Sequence, residues 1–318
     1  MKRVATDVGA VAVVLLAASL VAGCERIGPV DPQSDLMDVP AAANVPADAY
    51  RYTVIDVPGA TSTQVRGINA RGDLAGFYSD ATGFHGFVLR QGDLRTIDFQ
   101  SATATRVIGI NGRGDVVGFY TELGGKLHGF RLSVDGFEAI EYPGANGTRP
   151  WGINARGDIT GDYQATAGGA WRSFALRNGT FTAIDVPDAN MSAGYGINDQ
   201  GDVVGHFTVP GSNKMMGYQF AGGTFTYFLH PDLGNAMSCA QGIGVHGEVV
   251  GHYNDLSAGE VYGWVWFNGE YVAKLEAPGA TGTYAIAISP TGVIAGYHFD
   301  VNGVAHGFVA EPLNPTGR

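Results

Sequence analysis

The chain has 318 residues, a formal charge of −11 and 15% charged residues against 45% apolar ones. That much apolar content excludes a disordered chain, and the acidic balance argues against a nucleic-acid partner, whose phosphates need Lys and Arg to neutralise them. Gly is abundant at 49, and no long amphipathic helical pattern follows residue 50, which points to an all-β fold.

In chain order, the first element is a leader. "MKR" gives a short positive region and "VGAVAVVLLAASLVAG" an apolar core too short for a comfortable membrane span. Residues 1–23 read as a lipoprotein signal peptide. The leader ends "VAGC", small residues before a Cys, so Cys24 is the expected lipidation site. Lipid chains anchor by apolar burial at about 0.8 kcal/mol per CH₂, and firm anchoring takes more than one. The "VAGC" end resembles the bacterial lipobox, and by that resemblance Glu25, standing where inner-membrane lipoproteins carry Asp, implies the outer membrane or cell surface. Residues 24–49 carry four Pro and no periodicity, and read as a flexible tether. With Cys24 lipidated, Cys239 has no partner and no disulfide is expected.

From residue 50 to 318 the chain reads as a single domain of one repeated unit. "GINARGDLAGFYSD" begins at Gly67, "GINGRGDVVGFYTE" at Gly109 and "GINARGDITGDYQA" at Gly152. The aligned Gly falls at Gly67, Gly109, Gly152, Gly196 and Gly242, with Ala287 in the sixth copy, at intervals of 42, 43, 44, 46 and 45 residues. A period in this range marks propellers or arrays.

Each copy holds four strand-length runs, such as "STQVRGIN", "DLAGFY", "HGFVLR" and "LRTIDF". No helix-length segment separates them, so neighbours are antiparallel. "NARG", "NGRG" and "NDQG" between the first two runs fit a turn closed by a left-handed Gly, and Asp135-Gly136, Asn178-Gly179 and Asn268-Gly269 fit two-residue type I′ turns. The expected fold is a six-bladed β-propeller of four-stranded antiparallel blades. The region starts on a fourth-strand sequence, Tyr50–Pro58, and ends on a third strand, so the N-terminal strand is expected to complete the last blade. The Gly-Ile-Asn strand is taken as innermost, because small residues fit a crowded axis. A hydroxyl column, Thr63, Thr105, Thr148, Ser192, Ser238 and Thr283, is expected to bond a His column at His85, His128 and His306.

These motifs resemble the bacterial extracellular repeat family called HAF after its His-Ala-Phe triplet, which here reads "HGF" at His85, His128 and His306 beside "GIN…GDVVG". The triplet departs to "RSF" at Arg172, "MGY" at Met216 and "YGW" at Tyr262. The resemblance implies export or surface display and a propeller-like repeat, and no reaction.

Loops that vary on a rigid scaffold are where function concentrates. Three residues before the aligned Gly the column reads Gln64, Arg106, Arg149, Ala193, Cys239 and Tyr284. Gln64, Arg106, Arg149 and Tyr284 are therefore the candidate ligand-binding residues at a channel mouth, with Arg106 and Arg149 on adjacent blades as a clamp for one anion. The alternative is that each Arg pairs with an acid or stacks on a ring. A second column, Phe77, Phe119, Asp162, His206, His252 and Tyr297, offers metal-ligand types spread too far apart to share an ion. No catalytic motif is legible, and neither a cofactor nor a metal is expected. The reading is a monomeric, lipid-anchored binding module for an anionic small molecule, a glycan or a protein. A hydrolase or lyase acting on an anionic carbohydrate or peptide and a purely structural envelope protein remain open.

Overall fold

The structure, a computed structural model, describes residues 49–99, 102–212, 214–228, 237–255 and 259–313. The signal segment, Cys24 and the tether up to residue 48 lie outside the described residues.

Among the described residues there are 24 strands and an all-β topology. The first, β1 (Tyr50–Ile55), belongs to the last unit. Unit one runs β2 (Ser62–Ile68), β3 (Leu74–Ser79), β4 (Phe84–Arg90), β5 (Asp93–Ile97). Unit two runs β6 (Ala102–Ile110), β7 (Val116–Glu122), β8 (Leu127–Ser133), β9 (Gly136–Ile140). Unit three is β10 (Gly147–Ile153), β11 (Ile159–Gln164), β12 (Trp171–Arg177) and β13 (Thr180–Ile184). Unit four is β14 (Met191–Ile197), β15 (Val203–Thr208), β16 (Met216–Ala221) and β17 (Thr224–Phe228). Unit five is β18 (Met237–Ile243), β19 (Val249–Asp255), β20 (Glu260–Phe267) and β21 (Glu270–Leu275). The last is β22 (Gly282–Ile288), β23 (Ile294–Phe299) and β24 (Ala305–Pro312), with β1 paired antiparallel to β24 from Tyr50 opposite Pro312 to Ile55 opposite Gly307.

Within each unit the strands pair in order as antiparallel neighbours; single parallel bridges also join β4 to β6 and β20 to β22. The first strands of successive units pack side by side, β2 with β6, β6 with β10, β10 with β14, β14 with β18 and β18 with β22, and β22 packs against β2.

The triplet that varies as HGF, RSF, MGY and YGW has one constant: an aromatic third residue. Phe87, Phe130, Phe174, Tyr218, Trp264 and Phe308 are all 0–1% exposed. Burying such a ring contributes roughly 1.5–3 kcal/mol. The second-strand Gly makes the room: a Cβ at Gly205 would lie 1.9 Å from the Ala193 carbonyl oxygen and 2.9 Å from the Tyr218 ring.

The "GIN-x-RGD" wording is a staple between units. In the first turn Asn69 Oδ1 accepts from the Arg71 and Asp73 N–H groups, and Asn69 Nδ2 donates to Asp73 Oδ2 at 2.9 Å. Nδ2 also donates to the Asn111 carbonyl at 3.1 Å, and Arg71 Nη1 to the Gly112 carbonyl at 2.6 Å, both in the next unit. The turns at Asn111 and Asn154 do the same to the carbonyls of Asn154 and Asn198. Burial pushes the Asp73 carboxyl up, but the Asn69 amide and the Arg71 guanidinium outweigh it and hold the group below its ordinary value. Gly72 closes the turn at a φ of 78°.

Two sequence expectations are corrected. The hydroxyl column does not bond the His column. Thr63, Thr105, Thr148 and Thr283 accept from the backbone N–H groups of Val57, Phe99, Tyr142 and Ala277, capping the connection that enters four of the six inner strands. Asn178-Gly179 and Asn268-Gly269 have positive φ at both positions, but Asp135 does not. Ser133 pairs with Gly136, so the loop of unit two is Val134-Asp135, displaced by one residue.

Candidate functional site

Every inner strand carries a β-bulge at one equivalent place: between Val65 and Gly67, Val107 and Gly109, Pro150 and Gly152, Gly194 and Gly196, Ala240 and Gly242, and Ala285 and Ala287. A bulge inserts one unpaired residue and re-aims its side chain. The inserted residues are Arg66, Ile108, Trp151, Tyr195, Gln241 and Ile286, and all six line one cavity of ≈ 110 Å³ shared by the six inner strands. The next residue lets the strands approach: a Cβ on Gly152 would sit 2.5 Å from the Tyr195 carbonyl oxygen and one on Gly242 2.6 Å from that of Ile286. The far rim is Ile68, Ile110, Ile153, Ile197, Ile243 and Ile288.

Arg66 is the cation of this cavity. Its guanidinium carbon lies 5.7 Å from the Trp151 ring centroid and 5.7 Å from that of Tyr297. Its Nε is buried without a hydrogen-bond partner, its guanidinium donates to the Tyr297 phenol, and it has no carboxylate partner among the described residues. Trp151 is fixed by its Nε1–H, which donates to Asp162 Oδ1 at 3.1 Å, and packs edge-on against Tyr195 at 4.9 Å. Tyr195 in turn lies 5.1 Å from His206.

The residues expected at a channel mouth are not part of this cavity's lining. None of Gln64, Arg106, Arg149 and Tyr284 lines this cavity. Each pairs directly with the second strand, opposite Phe77, Phe119, Asp162 and Tyr297, because the bulge comes two residues later and turns the following side chain, not theirs, toward the shared space. Arg149 Nε donates to Asp162 Oδ1 at 2.8 Å, and its guanidinium lies 3.7 Å over the Trp171 ring. Arg106 lies 4.1 Å over Phe84, and burial lowers its pKa. The two arginines are thus each engaged within their own surroundings, not aimed at one anion. Tyr284 stacks on Tyr297 at 4.7 Å, and burial pushes its phenol up to about 12.

Among the described residues Arg66 is the charged residue that lines the cavity, and the Arg149–Asp162 pair stands beside it. Burial pushes the Asp162 carboxyl up, opposed by Arg149, which shares its charge. Burial, with Arg149 nearby, pushes His206 down to about 4, and burial, with Arg66 and His206 nearby, pushes His252 down to about 3. Both imidazoles are neutral at pH 7. Burial pushes the Cys239 thiol up to about 12. At pH 7 the two imidazoles are therefore neutral bases weakened by burial and the Cys239 sulfur stays a thiol. Among the described residues no three His, Cys, Asp or Glu converge on a metal site.

The bulge column was missed because alternation by two residues fails across a bulge. The signal was available: a Gly inside a strand often marks one, and the residue before it varies widely while Gly-Ile follows in five of the six copies.

The His column forms clamps away from the cavity. His85 Nδ1 meets Asp98 at 2.9 Å and Nε2 meets Asp80 at 3.2 Å. His128 sits likewise between Glu141 and Glu122, and His306 between Asp56 and Asp300.

No family model matches the sequence, and no curated protein matches it. Among solved structures the chain is similar to TolB from Acinetobacter baumannii, at a TM-score of 0.50 and 10% identity over 80% of this chain and 65% of that one. It is also similar, with TM-scores of 0.46 and 0.47, to the fucose-specific lectin from Aleuria aurantia (12% identity, 81% of this chain, 98% of that one) and to the β-propeller domain of the Trilobed protease from Pyrococcus furiosus (10% identity, 81% and 99%). At these identities the likeness is one of fold alone. Four-stranded antiparallel sheets and the likeness to TolB define a protein of the β-propeller class.

Proposed function

We propose that the chain is a closed six-bladed propeller that works as a binding module, holding a small anion against Arg66 in the cavity shared by its inner strands. The observation that carries this is Arg66: a guanidinium in a ring-walled space, with no carboxylate partner among the described residues. A bound anion would supply the missing counter-charge, and in a site of lowered dielectric that pairing is stronger than in water. Closure is supported by the pairing of β1 with β24 and by the packing of β22 on β2. Within this reading the Cys24 lipid and the tether hold the module at the cell envelope, on the outer membrane or cell surface, as a monomer. Export is supported by the leader and by the resemblance to the extracellular repeat family. A glycan or protein at the loop-rich face would be a second occupant, and no residue contact favours it.

The test is isothermal titration of the full chain in detergent with acetate and with neutral acetamide. Acetate should bind and acetamide should not, and Arg66→Gln should lower the acetate affinity at least tenfold. Equal binding by the variant overturns the reading.

A further inference from the structure

The cavity has two unlike ends. The bulge ring carries the Arg66 charge. Two residues further along each inner strand, about 6–7 Å away at the usual strand rise, all six side chains are isoleucine. Each of the six keeps a similar sliver of exposed surface, 7–9%, whereas Val65, Val107, Ala240 and Ala285 on the same strands keep 0%. The six isoleucine edges are part of the cavity wall. An inorganic anion would satisfy Arg66 and leave that rim against water. A ligand with an apolar tail would cover it.

The volume sets the length. At ≈ 110 Å³ the cavity is smaller than the ~150 Å³ hollow that accepts a benzene ring. It corresponds to three or four waters at roughly 30 Å³ each, hence to a ligand of about four to six non-hydrogen atoms. Gln241, Tyr195 and Trp151 line the same cavity, with the Trp151 ring 5.7 Å from the Arg66 guanidinium. The other charges nearby, Arg149 and Asp162, are already paired with each other.

Resting on the Arg66 reading, we infer that the ligand is a short-chain monocarboxylate of two to four carbons, its carboxylate on Arg66 and its tail against the isoleucine ring. The carboxylate accepts two N–H groups of the planar guanidinium fork. Each methylene placed against the isoleucines should tighten binding about fourfold, from burial alone.

The experiment is a titration series of the full chain with nitrate, acetate, propionate, butyrate and hexanoate, together with Ile197→Val and Arg66→Gln. Affinity should rise about fourfold per carbon from acetate to butyrate and fall at hexanoate, with nitrate weakest. Ile197→Val, a one-methylene deletion that a β-strand tolerates, should improve the longer tails relative to acetate. If affinity does not depend on chain length while Arg66→Gln still abolishes binding, the tail assignment is overturned and the anion site stands. If none of the anions binds, or Arg66→Gln binds them as the parent does, both fall. The chain-length series on the unaltered protein decides the matter even if a variant fails to fold.

Discussion

Asn69 donates from Nδ2 to the carbonyl oxygen of Asn111, 42 residues later, at 3.1 Å, while the same nitrogen holds Asp73 within its own turn. One amide therefore closes a turn and joins two units. Asn111 repeats the arrangement toward Asn154. Asn198 bonds Asp202 at 3.0 Å, and the following unit has Gly244 where the Asn would stand. Asn111→Ala should cost about 1–3 kcal/mol, since it strands buried partners in two units. Asn198→Ala should cost less. Urea unfolding of both variants measures this, and equal losses would contradict the inter-unit role.

Gly205→Ala places a Cβ 1.9 Å from the Ala193 carbonyl oxygen, on backbone that cannot step aside. The loss should be on the order of 3 kcal/mol or more, at the upper end of overpacking. Gly112 has nothing within 4 Å of a built Cβ and no positive φ, so Gly112→Ala should fall within about 0.5 kcal/mol of the parent. Thermal melts of the pair separate close approach from a general intolerance of side chains at glycine.

Two kinds of histidine should give opposite pH signatures. Burial lowers His85, but the hydrogen bond and charge of Asp98, with Asp80 adding to them, outweigh it and raise its pKa above the ordinary value. Its contribution is complete below the ordinary value near 6.5 and is lost as pH rises through the folded value. The stability gap between the parent and His85→Gln should be widest near about pH 5.5 and narrow above neutrality. His206 is pushed down to about 4, so its site costs nothing above 6.5 and loses stability as pH falls toward 4. His206→Gln should flatten that acid limb by up to roughly 3 kcal/mol. Urea midpoints from pH 4 to 8 check both signs.

Removing Tyr50–Pro58 takes away β1 and with it the partner of β24. The exposed edge loses six paired positions and the His306 clamp on Asp56. The truncated chain should melt several degrees lower and broaden its transition. Melting like the parent would show that β1 adds nothing to the last sheet.

The repeat period, the strand order and the turn glycines were legible in the letters because each depends on local chemistry: an Asn-x-Arg-Gly turn and alternating apolar runs form in any unit regardless of its neighbours. The cavity was not. Counting by twos from Gly67 reaches Val65 and Thr63, which are buried, and stepping to the third residue reaches Gln64 and Arg106, which lie against the second strand. Only the bulge makes Arg66 face the shared space. The partners of Arg149 were equally out of reach, since Asp162 and Trp171 lie 13 and 22 residues away and either stacking or pairing fitted the sequence.

The turn-to-carbonyl contacts all run one way around the molecule. Asn69 reaches forward to Asn111, Asn111 to Asn154 and Asn154 to Asn198. A chain emerging from its N-terminus must leave each such amide in water until a further 42–44 residues have appeared. Locking of the first four units then proceeds as a ratchet, the second, third and fourth each sealing the one made before it, and the first strand waits longest for its mate.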